Sequence, residues 1–192
     1  MTRHLASLVS LSLWVVGCAT AGSRGGAAEA PAAPGAATFF PLAAGTTWQY
    51  EAQMLGEKRT LPVTILEVRD GVAVDSTGAR LQADAYGVRD QKRYLLRDPV
   101  VAGTRWTNIV SPSSVEAYEI IAVDQPCESP AGSFSGCVVV ESRNRIDEQR
   151  ALVNEMTLAP KVGIVRIATT LVDGGKRVPQ SELKLLSFTP AR

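Results

Sequence analysis

Short stretches of alternating apolar and polar residues, each followed by a turn signal, constrain the fold of this 192-residue chain more than any other feature. The alternation appears in TTWQYEAQM (46–54) and LPVTILEV (61–68), and Asp70-Gly71 follows the second stretch. A period of two places successive side chains on opposite faces of a strand, and Asp-Gly between two such stretches favours a hairpin. These stretches therefore predict antiparallel β-structure.

Further stretches of the same kind recur at roughly 8–12-residue spacing, which is typical of an all-β domain. They are 71–88, interpreted as two strands around Ser76-Thr77-Gly78, and then 92–97, 105–110, 115–123, 137–146, 163–172 and 177–188. Segment 147–156 has a helix-favouring composition but lies between strands, and we interpret it as a strand. We expect a single antiparallel all-β domain of about ten short strands, with a strongly curved sheet that forms a half-barrel or a sandwich.

One eight-residue pattern occurs twice, as PLAAGTTW (41–48) and PVVAGTRW (99–106). Pro fixes φ, Gly allows a positive φ, and Trp begins a buried face. The two copies indicate a two-fold pseudo-repeat, the same strand start used twice, or a chance similarity. We predict that Trp48 and Trp106 are core residues; the alternative is that they line a ligand pocket.

The first residues contain Arg3 and His4, and the stretch Leu5 to Val16 that follows has no charged residue. This apolar stretch has the length of a secretory signal and is shorter than the roughly 17–25 residues that a membrane-spanning helix needs. It ends in Val15-Val16-Gly17-Cys18, which resembles the lipobox of bacterial lipoproteins. The resemblance implies cleavage before Cys18, a diacylglycerol on its thiol and an acylated amino terminus, with fatty acids such as palmitate.

The lipobox resemblance divides the chain into a signal peptide (1–17), a lipidated cysteine with its tether (18–37) and a β-rich domain (38–190). Residues 19–37 are nearly all Ala, Gly, Pro or Ser, so they cannot bury enough apolar surface to fold. As a flexible coil they would span about 25 Å. Ala19 follows the cysteine where retained lipoproteins often carry Asp, which implies the outer membrane of a Gram-negative cell envelope.

Charge and histidine content argue against several function classes. Without residues 1–17 the chain has 19 basic and 19 acidic residues and no histidine. It lacks the basic patch of a nucleic-acid binder, and it lacks the imidazole that Ser-His-Asp, Cys-His and most catalytic zinc sites require. We therefore expect no nucleic-acid partner, no catalytic residue, no metal site, no cofactor and no enzymatic activity.

Three motifs in the remainder occur in a fixed order: Phe40-Pro41-Leu42 with Gly45, Trp48 and Tyr50; Pro130-Ala131-Gly132 with Phe134 and Cys137; and Ala159-Pro160 with Val162, Gly163 and Val165. They resemble motifs of uncharacterised β-rich bacterial envelope lipoproteins. That resemblance covers most of 39–188. It implies a β-rich envelope domain and no particular activity.

Cys127 and Cys137 remain once Cys18 is assigned to lipidation. Export to an oxidising compartment permits a disulfide between them, which would stabilise the fold by about 2.5–3 kcal/mol. The alternative is a pair of reduced thiols, with Cys137 packed in a strand.

These observations leave three functional hypotheses for a chain held at the lipid bilayer by acylated Cys18. The leading one is a non-enzymatic binding or structural module, with an unidentified protein or apolar ligand as its partner. The second is a carrier or sensor of an apolar ligand in a curved-sheet cavity. The least supported is a hydrolase that uses two carboxylates.

Replacing Cys18 by serine tests the anchor. We expect metabolic labelling with a radioactive fatty acid to mark the wild-type chain and to leave Cys18→Ser unlabelled, because serine offers no thiol for the diacylglycerol. Equal labelling of both chains would overturn the lipobox interpretation.

Overall fold

A computed structural model describes residues 34–54, 56–112 and 114–192. A short 3₁₀ turn, Ala36–Phe39, precedes the strands. The strands are β1 (Thr47–Met54), β2 (Glu57–Arg69), β3 (Val72–Asp75), β4 (Arg80–Asp84), β5 (Gly87–Arg89), β6 (Tyr94–Arg97), β7 (Arg105–Ser111), β8 (Ser114–Ser129), β9 (Gly132–Arg145), β10 (Arg150–Ala159), β11 (Gly163–Asp173) and β12 (Lys176–Thr189). Among the described residues, no helix is long and apolar enough to cross a membrane.

All twelve strands belong to one sheet with the order β6-β5-β4-β3-β2-β1-β12-β11-β10-β9-β8-β7. Within β1–β6 and within β7–β12 each strand pairs antiparallel with the next one in the chain, and β1 pairs with β12 from Thr47↔Thr189 to Met54↔Ser181. The sheet therefore consists of two six-strand meanders, β1–β6 and β7–β12, joined through β1 and β12. The prediction of a single, curved, antiparallel all-β domain is confirmed.

The strand count exceeds the predicted number of about ten because segment 71–88 contains parts of three strands rather than two. Tight turns at 76–79 and 85–86 separate β3, β4 and β5. The strand predicted over 147–156 is confirmed from Arg150 onward and continues to Ala159, whereas 147–149 form bends before it. The strands predicted over 115–123 and 137–146 are longer in the structure: β8 continues to Ser129 and β9 begins at Gly132, so the segment between Cys127 and Cys137 is mostly strand.

Side chains bring the two edge strands, β6 and β7, together. The Tyr94 N–H donates to Asn108 Oδ1 at 3.0 Å, and the Tyr94 carbonyl accepts from Asn108 Nδ2 at 3.1 Å and from Trp106 Nε1 at 2.9 Å. The side-chain amide of Asn108 thus pairs with both backbone groups of Tyr94, as the backbone of an adjacent strand would in a β-sheet. The curved sheet that the sequence predicted is consequently nearly closed, as in a barrel.

The two copies of the repeated pattern start their strands with the same hydrogen bonds. Gly45 N–H donates to the Ile65 carbonyl at 2.8 Å, and the Thr46 carbonyl accepts from the Ile65 N–H at 2.9 Å. In the second copy, Gly103 and Thr104 bond Ile120 in the same way, at 2.8 and 2.9 Å. Both glycines have a positive φ, 91° and 87°. Each copy thus opens one of the two six-strand meanders.

The 3₁₀ turn contributes to the core of the sheet. Ala36 and Phe39 are fully buried, the Ala36 N–H donates to Asp98 Oδ1 at 2.9 Å, and the Thr38 carbonyl accepts from the Lys161 N–H at 2.7 Å. Ala36, which the sequence analysis assigned to the tether of residues 18–37, therefore packs with the domain. The signal peptide, Cys18 and the tether up to residue 33 lie outside the described residues.

Most of the large buried side chains form one hydrophobic cluster in the sheet interior. Phe39 and Phe40 of the amino-terminal segment pack there against residues of β5 to β10, among them Val88, Leu96, Trp106, Tyr118, Ile120, Val138, Val140, Met156 and Leu158. A second cluster surrounds Trp48, Tyr50, Ile65 and Leu185. The two clusters share Leu42 as a neighbour, so the segment before β1 connects them.

Asn108→Ala tests the side-chain closure. We expect the free energy of unfolding to fall by about 2 kcal/mol, because the variant leaves the Tyr94 N–H without its partner at a partly buried position. The measurement is urea unfolding of the purified protein. The matched control is Asn144→Ala on β9, which loses one bond to the Ser114 hydroxyl and should cost less. Equal losses in the two variants would contradict the closure.

Candidate ligand-binding cavity

The first and third sequence motifs meet where β1 faces the turn between β10 and β11. Trp48 Nε1 donates to the Val162 carbonyl at 2.6 Å, and the Tyr50 hydroxyl donates to the Ile164 carbonyl at 3.2 Å. These contacts cross 114 positions of sequence. They anchor the two aromatic side chains of β1 to a turn near the other end of the chain.

Gly163 permits this approach. Its φ is +102°, and a Cβ at this position would lie 3.3 Å from Trp48 Nε1. A side chain would therefore both strain the backbone and crowd the indole. Glycine is therefore required at position 163 of the third motif, because Trp48 of the first motif packs against it.

A cavity of about 210 Å³ lies beside these contacts, and we call it the apolar cavity. Its walls come from the segment before β1 and from strands β1, β2, β4, β11 and β12. The lining side chains are mostly aliphatic or aromatic: Phe40, Leu42, Trp48, Tyr50, Leu61, Val63, Ile65, Leu81, Ile164 and Leu183, with Gly163, Asp75 and Thr77.

The lining strands present this apolar surface because of their alternation and register. Tyr50 is paired with Leu61 and Trp48 with Val63, so the four side chains lie on one face of the β1–β2 pair. Ile65 continues that face and is almost fully buried. The wall is therefore built from cross-strand pairs, which hold it in shape without a ligand.

The polar groups at the cavity are already hydrogen-bonded within the protein. Asp75 Oδ1 accepts from the Thr77 N–H at 2.8 Å, from the Thr77 hydroxyl at 2.7 Å and from the Ala79 N–H at 3.0 Å. Burial raises the pKa of Tyr50 well above its usual range, so its hydroxyl stays protonated and remains a donor to Ile164. The cavity thus offers a mainly apolar surface, with these polar groups engaged in bonds within the protein.

The two tryptophans named from the sequence lie in different places. Trp48 is buried and lines the apolar cavity, with Phe188 beside it at a ring distance of 5.9 Å. Trp106 is buried in the core cluster, where it stacks on Tyr118 at 5.2 Å. Its outer edge borders a separate surface depression among charged side chains such as Arg105 and Glu119. The structure thus places only Trp48 at this cavity.

Cys127 and Cys137 are joined by a disulfide that connects β8 and β9. Cys137 is fully buried with Ala159 and Val165. Phe134 and Val162 pack against this small cluster and also against the cluster around Trp48. Neither cysteine of the disulfide is among the residues that line the apolar cavity.

Sequence reasoning missed most of the cavity lining. Phe40, Leu42 and Tyr50 belong to the first motif, but the motif was interpreted only as structural. The alternation of β2 could have indicated Leu61, Val63 and Ile65 once their register with Trp48 was known.

Within the described residues, no group of three or more His, Cys, Asp or Glu side chains is placed to hold a metal ion.

Trp48→Phe and Trp106→Phe form a matched pair that tests the indole anchor. Both remove the same atoms, but the Tyr94 carbonyl keeps its bond from Asn108 when Trp106 is changed. We therefore expect Trp48→Phe to lower the free energy of unfolding by about 1 kcal/mol more than Trp106→Phe does. Urea unfolding of the two variants measures the difference, and a larger loss for Trp106→Phe would contradict the assigned role of Trp48.

Comparison with known proteins gives likenesses of fold at low sequence identity. No protein-family model matches the chain. No curated protein matches it. One similar solved structure is a predicted lipoprotein from Parabacteroides distasonis, with a TM-score of 0.43, 14% identity, and coverage of 79% of this chain and 98% of the other. Another is a predicted exported protein with a YmcC-like fold from Bacteroides fragilis, with a TM-score of 0.45, 14% identity, and coverage of 79% and 99%. At these values neither likeness carries information about the ligand or activity of this chain.

Proposed function

We propose that this chain is an envelope lipoprotein whose β-domain is a non-enzymatic module that binds the apolar part of a ligand. The anchor is acylated Cys18, and the membrane is the outer membrane of a Gram-negative cell. The proposal combines the leading sequence hypothesis, a binding module, with the second, a cavity for an apolar ligand.

The apolar cavity is the observation that supports this function. Its lining is almost wholly aliphatic and aromatic, and Asp75 Oδ1, the Thr77 hydroxyl and the Tyr50 hydroxyl are hydrogen-bonded within the protein. An apolar group that enters would gain roughly 25 cal/mol for each Å² of apolar surface removed from water. A volume of about 210 Å³ lies below the range of roughly 300–1,000 Å³ that is usual for whole small-molecule ligands. The cavity is therefore matched to part of a ligand, such as a short chain or one ring.

The amino-terminal sequence supplies the rest of the proposal. A lipobox and a tether without large apolar residues would hold the domain within about 25 Å of a membrane. Molecules with apolar chains are concentrated at that surface. A binding domain tethered there meets them without a long diffusional search.

Cavity filling tests the binding function. The probe is N-phenyl-1-naphthylamine, an uncharged apolar dye, and the protein is the full chain carrying Cys18→Ser, so that no acyl chain competes. We expect saturable binding, and we expect Leu61→Trp to weaken it by about tenfold because the indole would occupy the cavity. Dye fluorescence as a function of protein concentration gives the dissociation constant.

Leu66→Trp is the matched control for this experiment. Leu66 lies on the same strand as Leu61 but is 62% exposed. This variant should bind the dye as the parent chain does. Absence of saturable binding, or equal weakening by the two substitutions, would contradict the proposed function.

A further inference from the structure

A second cavity, of about 330 Å³, lies in the sheet interior, and we call it the polar cavity. Leu95, Val140, Met156 and Ile167 form its apolar side. Its other side carries Asp90, Arg93, Glu116, Tyr118, Ser142 and Asn154. Of these polar residues, Glu116, Tyr118 and Ser142 are buried within the fold. A wall that is half apolar and half polar is the form expected of a site that orients an amphiphilic ligand.

The two cavities lie on the same face of the sheet and next to each other. Leu183 of β12 lines the apolar cavity, and its register partner Ile167 on β11 lines the polar cavity. Side chains that are directly opposite in an antiparallel pair point to the same face and are in contact distance. Leu183 and Ile167 therefore form the boundary between the two cavities, and a ligand that fills both would lie across these two side chains.

The charges in the polar cavity already compensate one another. Arg93 Nε lies 2.7 Å from Glu116 Oε2 and Arg93 Nη2 lies 3.0 Å from Glu116 Oε1, which is a bidentate pair. Burial alone would raise the pKa of Glu116, but the hydrogen bonds from Arg93 and Tyr118 hold it below its usual range. Both groups of the pair are therefore charged, and neither charge is free for a ligand.

Asp90 adds a negative charge beside this pair. Its Oδ1 accepts the N–H groups of Lys92 and Arg93, and its Oδ2 lies 4.0 Å from Arg93 Nη1. An anionic group that entered the cavity would meet the carboxylates of Asp90 and Glu116 and no unpaired cation. A cationic group would have to compete with Arg93 for Asp90 and Glu116.

Neutral hydrogen-bonding groups form the remaining part of the polar wall. Asn154 Nδ2 lies 3.3 Å from the Ser142 hydroxyl, and Asn154 Oδ1 accepts from the Thr169 hydroxyl at 2.7 Å. Burial, followed by the bond to Glu116, raises the pKa of Tyr118 to about 12, so its hydroxyl stays neutral as well. The Ser142 hydroxyl and the Asn154 amide retain capacity for further hydrogen bonds, because each offers more donor and acceptor sites than these contacts use.

We infer that the ligand is a single-chain amphiphile with an uncharged, hydroxyl-bearing head group. Its apolar chain occupies the apolar cavity, and its head group hydrogen-bonds to Ser142 and Asn154 in the polar cavity. This inference rests on the proposed function, because it uses the same apolar cavity for the chain. It adds the chemical class of the head group and the residues that select it.

The test compares amphiphiles that share one chain and differ in head group, below their micelle concentrations. The probes are octyl glucoside, octanoate and octylammonium, and each competes with N-phenyl-1-naphthylamine for the full chain carrying Cys18→Ser. We expect octyl glucoside to bind about tenfold more tightly than either charged probe. This comparison needs no substitution in the polar cavity, so it does not depend on the folding of a variant.

Substitutions then locate the head group. Ser142→Ala and Asn154→Ala should weaken octyl glucoside several-fold and leave binding of the dye unchanged, because the dye contacts only the apolar cavity. Asn144→Ala is the control, since Asn144 bonds Ser114 and does not line the polar cavity. Urea unfolding confirms that each variant is folded before binding is measured.

The outcomes separate this inference from the proposed function. Selective binding of octyl glucoside that is weakened by the two substitutions supports both. Saturable dye binding together with equal or tighter binding of a charged probe, or with no effect of the substitutions, overturns the head-group assignment and leaves the apolar cavity as the site. Failure of the dye and of every amphiphile to bind overturns both.

Discussion

The hydrogen bonds of Asn108 to Tyr94 are the constraint on which the interior of the sheet depends. The other junction between the two meanders, β1 with β12, is a full backbone ladder, whereas β6 and β7 meet through the amide of Asn108 and the indole of Trp106. The ion pair between Arg93 and Glu116 spans the same seam, from the start of β6 to β8. Because these side chains bring the edges together, the concave face becomes an interior that can contain both core and cavities.

The interior is divided between solid packing and open space. Phe39 and Phe40 of the segment before β1 fill its centre together with aliphatic residues of β5 to β10. The apolar cavity lies to one side, where Trp48 reaches the turn after β10, and the polar cavity lies beside it, next to the seam. The contacts that complete the fold, made by Trp48, Tyr50, Arg93 and Glu116, therefore also shape the candidate site.

Local sequence was a good guide to strands and turns. The alternation predicted the strands because one face of an antiparallel strand is buried and the other is exposed. It separated β3 from β4 at Ser76-Thr77-Gly78 but did not separate β4 from β5, since strands of three to five residues carry too few alternations. The alternation also underestimated the lengths of β8 and β9. Residues that usually form turns surround Gly136, but the pairing of β8 with β9 is irregular there, and such irregularities accommodate these residues within a strand. The alternation gave no indication that Ala36 is buried, because a small side chain is equally common in a tether and in a core.

By itself, the sequence determined the all-β class, the turn positions with a positive-φ glycine and the segment that resembles a lipobox, because each depends on residues close together along the chain. Only the tertiary structure decided which strands lie side by side, that Trp48 lines a cavity while Trp106 lies in the core, and that Arg93 meets Glu116 across 23 positions. These arrangements depend on register and on closure of the sheet. Both follow from the packing of the whole domain, and no short stretch of sequence contains that information.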